Sequence, residues 1–383
     1  MGKWLTRAEA LRELGVRLQT LYAYASRGQI RVSSDPSNPR RSLYRMEDIA
    51  SLVAKRKRGR RPEAIAAGTI WLGEPIITTA ISTIHRGRLY YRGRDAIQLS
   101  RTATLEEAAA VLWGSPVTPR FETIRLGSAG RSRMRARAFN AIADAAAGGA
   151  PTLGLASSVL SEEAASLVGR LVSAFGASQG DDPVHVRLAK GWKLEHAAFD
   201  LVRRALVLLA DQELTNSVFA ARVAASTGAC LGACMLAGLA ATSGPLHGGA
   251  SIRVQGLLKE IDRTSADEVI QRHLESGWPI PGFGHYMYPD GDPRASSLLG
   301  AFEPRARLKR TIAKVSASTG LAPTIDLALA TLADRYNLPD DAPFSLFVIG
   351  RSLGWLAHSI EQVLANPGAM IRPRARYVGT PLQ

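Results

Sequence analysis

From Gly68 onward, apolar residues recur three and four positions apart with little strict alternation, the period of helices rather than strands. This pattern predicts helices over 105–113, 161–174, 194–210, 217–241, 266–276, 305–319, 324–336 and 346–364. No strand, glycine loop and helix follow one another in the way that phosphate- or dinucleotide-binding folds require. The first 61 residues read differently. Thr6, with Glu9 three positions on, predicts a capping box that opens a helix over 6–14, and Gly15 ends it. A second helix is expected over 17–27, before Gly28. Two short strands, 30–32 and 42–44, flank the turn-rich segment 33–39, and a third helix starts near Met46 and runs into the basic stretch 55–61.

Charge sharpens this division. Residues 1–61 carry fifteen Lys and Arg against five Asp and Glu, so they hold most of the formal net charge of +15. A basic module joined to an ordinary globular body is the expected organisation, with 62–67 as linker. The body is rich in Ala, Leu and Gly, and aromatic residues make up only 6% of the chain, which favours closely packed helices. Cys230 and Cys234 lie four apart in an Ala/Gly-rich run and read as small core residues rather than a disulfide or a metal site. The opening MGKWLTRAEA has no apolar signal region, and the uncharged stretch near 228–241 is too short to span a bilayer. A soluble cytoplasmic protein without a metal is expected.

Candidate chemistry concentrates in three places. His247 stands in Gly244-Pro245-Leu246-His247-Gly248-Gly249-Ala250, a tight turn that lets a ligand approach the backbone. His285 closes Pro279-Ile280-Pro281-Gly282-Phe283-Gly284-His285, with Asp292-Pro293-Arg294 shortly after. Asp326 stands near the start of a helix on an otherwise apolar face, where it also suits the helix dipole. His85, His185, His196 and His273 lie in no such motif.

Taken together, GPLHGGA, GFGHYMYPDGDPRA, Asp326, GRSLGWLAHSIEQ and IRPRARY resemble the citrate synthase family in order and approximate spacing. TAISTIHRGRLYYRGRDAIQL at 79–99 and FAARVAAST at 219–227 extend the resemblance over roughly 68–383. It implies a mainly α fold, with a large helical domain (68–252 and 351–383) and a small one (253–350). It implies an acyltransferase that condenses acetyl-CoA with oxaloacetate, acetyl-CoA being a substrate, with no further cofactor. Asp326 would be the base, His247 the neutral donor to the thioester oxygen, and His285 the group that protonates the ketone. Arg294, Arg351 and Arg372 would bind the keto acid's carboxylates, Arg372 reaching over from the second subunit of a homodimer, with Arg374 and Arg376 as neighbouring candidates. His358 is expected to be structural. The family motif DHELNAS reads Asp211-Gln212-Glu213-Leu214-Thr215-Asn216-Ser217 here, so Gln212 stands where a keto-acid-binding His is usual. After Asp326 the chain reads LALATL where FYSG is common. These changes question the substrate more than the chemistry. A 2-methylcitrate synthase, another keto-acid synthase or a citryl-CoA-cleaving enzyme is therefore kept open.

The N-terminal module resembles the MerR-like winged helix-turn-helix family through Leu21, Tyr22, Tyr24, Arg27, Gly28 and Ile30, then Arg41, Leu43, Tyr44, Arg45, Glu47, Asp48, Ile49 and Leu52. That resemblance implies double-stranded DNA as a partner. Arg17, Gln19, Thr20 and Tyr22 would face the groove, and Arg40, Arg41 and the 55–61 run would meet phosphates. A regulator whose synthase-like body acts as a sensor is the alternative, as is a module that only docks.

Overall fold

The computed structural model describes residues 4–16, 18–26, 29–35, 38–58, 77–124, 133–276, 279–365 and 368–373. The chain divides into two units, Met1–Thr78 with Arg374–Gln383, and Thr79–Pro373. The linker expected at 62–67 lies outside the described residues, as do Arg374 and Arg376.

In the first unit, β1 (Trp4–Thr6), α1 (Arg7–Leu14), α2 (Leu18–Ser26), β2 (Val32–Asp35), β3 (Asn38–Arg45) and α3 (Met46–Arg58) follow in order. The strands form an antiparallel sheet in the order β1-β3-β2. The capping box is present: Thr6 accepts from the Glu9 amide while Glu9 reaches back to the Thr6 amide at 2.8 Å, and Gly15 closes α1 in the left-handed region. The hairpin runs longer than expected: β2 starts later, at Val32, and β3 earlier, at Asn38. Ile30 is buried in the core instead of pairing, and pairing begins at Val32 with Tyr44. Leu5, Ala10, Leu14, Leu21, Ile30, Tyr44 and Ile49 make this unit's own core. Arg31 grips Asp48 through Nε (2.9 Å) and Nη2 (2.7 Å), and these bonds pull the Asp48 carboxyl down to about 2.

The second unit opens with a three-stranded antiparallel sheet, β4 (Ser82–His85), β5 (Arg88–Tyr91) and β6 (Arg94–Asp95). The helical reading missed this sheet. Its two turns are Arg86-Gly87 and Arg92-Gly93, each with positive φ at both residues, the geometry of hairpin turns usually signalled by Asn-Gly. Helices follow: α4 (Ala96–Thr102), α5 (Leu105–Trp113), α6 (Met134–Ala147), α7 (Ser157–Ala174), α8 (Val184–Gly191), α9 (Phe199–Leu208), α10 (Asn216–Ser226), α11 (Leu231–Thr242), α12 (Ala250–Arg263), α13 (Ala266–Ser276), α14 (Pro293–Leu299), α15 (Ala306–Thr319), α16 (Ile325–Tyr336) and α17 (Ala342–Ala365). A 3-10 turn, His196–Ala198, precedes α9, so the helix expected from 194 starts later.

The single helix expected over 217–241 is two helices. Gly228 takes φ +78, and Thr152 captures the freed carbonyls of Gly228 (through its amide, 3.1 Å) and Ala229 (through its hydroxyl, 3.1 Å). Cys230 then caps α11, its Sγ accepting from the Ala233 amide at 3.3 Å. Both cysteines are buried and free.

Two apolar clusters organise this unit. The larger runs from Ile81 to Val363 and surrounds α17, whose residues from Ala342 to Ile360 are all buried. The smaller joins α12, α13, α15 and α16 through Val254, Leu257, Val269, Leu308, Val315 and Leu327. Helix α16 serves both, with Leu327 and Ala330 in the small cluster and Ala328, Leu329 and Leu332 in the large one. Among the described residues no helix is long and apolar enough to cross a membrane.

Candidate active site

His247 lies in the loop between α11 and α12. The loop folds on itself: the His247 amide donates to Gly244 (3.0 Å), and Gly249 donates to Thr242 (3.2 Å). Gly248 leaves no room for a side chain, since a Cβ there would stand 2.4 Å from the Thr242 methyl. The ring of His247 meets Phe347 edge to face, with centroids 5.6 Å apart, and its Nε2 is 2.7 Å from Ser217 Oγ. With the Ser217 hydroxyl donating to Nε2, the ring proton sits on Nδ1. Burial and the Arg351 charge lower its pKa to about 4, so it is neutral at pH 7.

His285 comes from the loop before α14. That loop is sewn to the segment entering α16: Gly284 donates to Ala322 (2.9 Å) and Thr324 donates to Gly282 (2.8 Å). The His285 Nδ1 accepts from the Met287 amide at 3.1 Å, which leaves Nε2 as the N–H of the neutral ring. Tyr286 stacks on it and Tyr288 tilts against it. Burial, then Arg294, lowers its pKa to about 4.

Asp326 stands in the first turn of α16. Its Oδ1 is buried with no hydrogen-bond partner among the described residues. Desolvation raises its pKa to about 6; Arg294 works against that rise and Asp292 adds to it. A carboxylate near neutrality suits proton abstraction around pH 7.

His247, His285 and Asp326 line one cleft of about 290 Å³, together with Gln212, Arg294 and Phe347. Arg294 is buried, and each of its three guanidinium nitrogens makes a hydrogen bond. Its Nε (2.9 Å) and Nη2 (2.8 Å) donate to Asp292, and its Nη1 donates to Gln212 Oε1. Arg351 is also fully buried but has no carboxylate within ion-pair distance among the described residues. Its Nε donates to the Leu209 carbonyl (3.1 Å), its Nη1 lies 3.4 Å from Thr215 Oγ1, and its Nη2 has no partner among the described residues. A buried guanidinium with an N–H edge left over has the chemistry to receive an anion. Arg372 is exposed and does not line the cleft.

Residues 175–374, just over half of the chain, match the profile described as "Citrate synthase, C-terminal domain". The chain belongs to the citrate synthase family. The citrate synthase of Haloferax volcanii is 36% identical over 191 residues, 46% of this chain and 49% of that protein. Citrate synthase 2 of Bacillus subtilis is 36% identical over 190 residues, 46% and 50% of the two chains. At these identities the chain spans about half the length of the curated relatives it matches. The 2-methylcitrate synthase of Shewanella oneidensis is 29% identical over 354 residues, 80% of this chain and 93% of that one. The crystal structure of citrate synthase from Thermotoga maritima superposes with a TM-score of 0.68 at 26% identity, covering 80% of this chain and 94% of that chain. A Thermoplasma acidophilum citrate synthase, in ternary complex with carboxymethyl coenzyme A and oxaloacetate, shares the fold at TM-score 0.67 and 23% identity.

Within this citrate synthase fold, a buried polar chain that the motifs did not reveal supports the cleft. Asp211 accepts from the Ser82 hydroxyl and lies 3.2 Å from His358 Nε2, and His358 Nδ1 lies 3.2 Å from Arg222 Nη1. Arg222 in turn donates to Glu361 (2.7 Å) and Gln362 (2.8 Å). His358 is therefore structural, and the chain fixes the segment that presents Gln212. Ser217 and Asp292 are also site residues that sequence reasoning left without a role; the DPR run around Arg294 was the available signal for the second.

Proposed function

We propose that the protein condenses acetyl-CoA with oxaloacetate to give citrate and CoA. The supporting observation is the convergence, in one cleft, of two neutral imidazoles and one carboxylate poised near neutrality. Asp326 takes a proton from the thioester methyl. A neutral His247 donates to the thioester oxygen and stabilises the enol as it forms. The nucleophilic carbon attacks the ketone, whose oxygen takes its proton from His285 Nε2, and water then releases CoA from the citryl thioester. Each positioned proton transfer contributes on the order of 10²–10⁴-fold. Arg294 and Arg351 receive the acceptor's carboxylates. Arg372, outside this cleft, acts from the second subunit of a homodimer. The small cluster around α12, α13 and α15 would be the core of the small domain (253–350), although the large cluster also takes in α14, part of α16 and the first part of α17, which those bounds assign to the small domain. The ternary complex of the Thermoplasma acidophilum enzyme is in keeping with a CoA ester and a keto acid as the two ligands.

Gln212 favours a second acceptor or acyl donor, and the 2-methylcitrate synthase that aligns over 80% of this chain makes propionyl-CoA the donor to compare. Thiol release from acetyl-CoA and propionyl-CoA, each with a panel of keto acids, decides this. Release with oxaloacetate, lost in Asp326→Ala, is expected; no release with any pair would end the enzymatic reading.

For the first unit we propose a winged helix-turn-helix that binds duplex DNA in a cytoplasmic protein. Two helices joined at Gly15, a following β-hairpin and the concentration of positive charge support it. Tyr22, on the second helix, is 46% exposed, and its hydroxyl lies 3.5 Å from Arg7 Nη1; Thr20 is half-buried. Arg17 and the side chains of Gln19, Arg40 and Arg41 lie outside the described residues. Binding to duplex DNA should weaken steeply between 50 and 200 mM salt, as counterion release demands. No binding at low salt would leave only a docking role.

A further inference from the structure

We propose that Asp292 is a positioning residue, tying the guanidinium that receives the keto acid to the helix that carries the proton-abstracting carboxylate. The inference rests on the condensation reading above and deepens it.

Asp292 is 1% exposed, and its two oxygens serve two helices, α14 and α16. Oδ1 caps α14 by accepting from the Arg294 amide (3.0 Å) and also accepts from Arg294 Nε (2.9 Å). Oδ2 accepts from Arg294 Nη2 (2.8 Å) and from the amide of Ile325 (3.0 Å). Ile325 is the first residue of α16 and immediately precedes Asp326. The ordinary cap of that helix is not used: Thr324 stands at the N-cap position without a side-chain capping bond, and its Oγ1 is buried without a partner among the described residues. The start of the base-bearing helix is therefore held from 33 residues away by the carboxylate that also clamps Arg294.

This arrangement has a mechanical consequence. All three guanidinium nitrogens of Arg294 are engaged, two with Asp292 and one with Gln212. A keto-acid carboxylate that binds the two remaining N–H groups, one each on Nη1 and Nη2, shares both nitrogens with these partners and pulls against them. Any shift of Arg294 against Asp292 acts on Oδ2 and through it on the first N–H of α16. Gln212 contributes to this, because its amide oxygen holds the third corner of Arg294. Occupancy of the acceptor site and placement of the base thus share one carboxylate.

Two substitutions in the full chain separate the two grips. Asp292→Asn keeps the cap and one acceptor but loses the charge-assisted pairing. Ile325→Pro removes the N–H that Oδ2 accepts, and Ile325→Val, which keeps that N–H, controls for trimming the buried side chain; proline suits the first position of a helix, and Thr324 is already extended at φ −98, ψ 167. Initial rates of CoA release give kcat and both KM values. Exchange of the thioester methyl protons for deuterium, followed by NMR, reports enolisation directly. A displacement of the base is expected to lower kcat and exchange about 10–100-fold in both variants. The keto-acid KM should rise about fivefold or more in Asp292→Asn alone, through loss of the charge-assisted bonds, with the KM for the CoA ester within about twofold throughout. Wild-type kcat and exchange in Ile325→Pro would overturn the proposal. So would an Asp292→Asn variant that raises only the keto-acid KM. If one variant does not fold, the other decides; if neither folds, Asp292 is merely structural and the assignment fails. Absence of CoA release by the wild type would instead remove the condensation reading itself.

Discussion

Replacing Asp326 with asparagine should stabilise the protein while abolishing its chemistry. Burial raises the carboxyl from 3.8 to about 6, so its ionised form is disfavoured in the folded state. A raised acid pKa lowers stability as pH climbs from the unfolded value through the folded one, because the folded state holds the proton longer. Above pH 6 the penalty is complete, and a shift of about two units corresponds to about 3 kcal/mol. That figure is an upper bound, since the amide of asparagine is itself polar and loses some of the gain on burial; about 1–3 kcal/mol is expected. For the unit Thr79–Pro373, an unfolding entropy of about 2.1 cal/mol/K per residue converts 3 kcal/mol to about 5 °C in Tm. The assay is thermal unfolding of wild type and Asp326→Asn without ligands, at pH 8 and at steps down to about pH 4. The variant should melt higher at pH 8, and the difference should shrink towards zero as pH falls below 6. A variant that melts lower at pH 8, or a gain that does not change with pH, would refute the claim that Asp326 is held at a desolvation cost.

Three further outcomes follow from the same geometry. Gln212→His should lower the KM for oxaloacetate about 3–10-fold by supplying a ring donor for the keto acid; an unchanged or raised KM would mean that Gln212 serves a different acceptor. His285→Asn should flatten the acid loss of stability. The buried imidazole is held at about 4, so the unfolded chain binds more protons between pH 6.5 and 4, and stability falls as pH drops through that window. Removing the ring should reduce the slope of unfolding free energy there by up to about 1.4 kcal/mol per pH unit, measured by urea titration at fixed pH values. Gly354→Ala would place a Cβ 2.1 Å from Asp211 Oδ1 and 2.8 Å from the Ala210 carbonyl. Helix α17 must then move off the segment leading to Gln212, at about 1–3 kcal/mol, and CoA release should fall with it.

Much of the site was legible in the chain itself. His247 and His285 stand in Gly/Pro loops, and residue type with local sequence is enough to mark such positions. Asp326 was less distinctive alone and gained meaning only beside the two histidines. The capping box at Thr6 and Glu9 was equally local, because it closes within one helical turn. Local signals failed where the deciding partner lay far along the chain. The break at Gly228 depends on Thr152, and the sheet at 82–95 uses Arg-Gly turns that carry no hairpin signature.

The sequence by itself determined the chemical types available and the helical class, since periodicity, caps and loop composition act over a few residues. Tertiary structure decided how those groups are poised. Burial brings both imidazoles to about 4 and the carboxyl of Asp326 to about 6, and no neighbour in sequence accounts for any of these shifts. Packing likewise made Arg294 and Arg351 unlike, one paired with Asp292 and Gln212, the other buried with a free edge. Desolvation and hydrogen bonding depend on which atoms lie within a few ångströms; Asp292 is a neighbour of Arg294 in sequence, but Gln212, Leu209 and Thr215 reach the two arginines from 82 to 142 positions away.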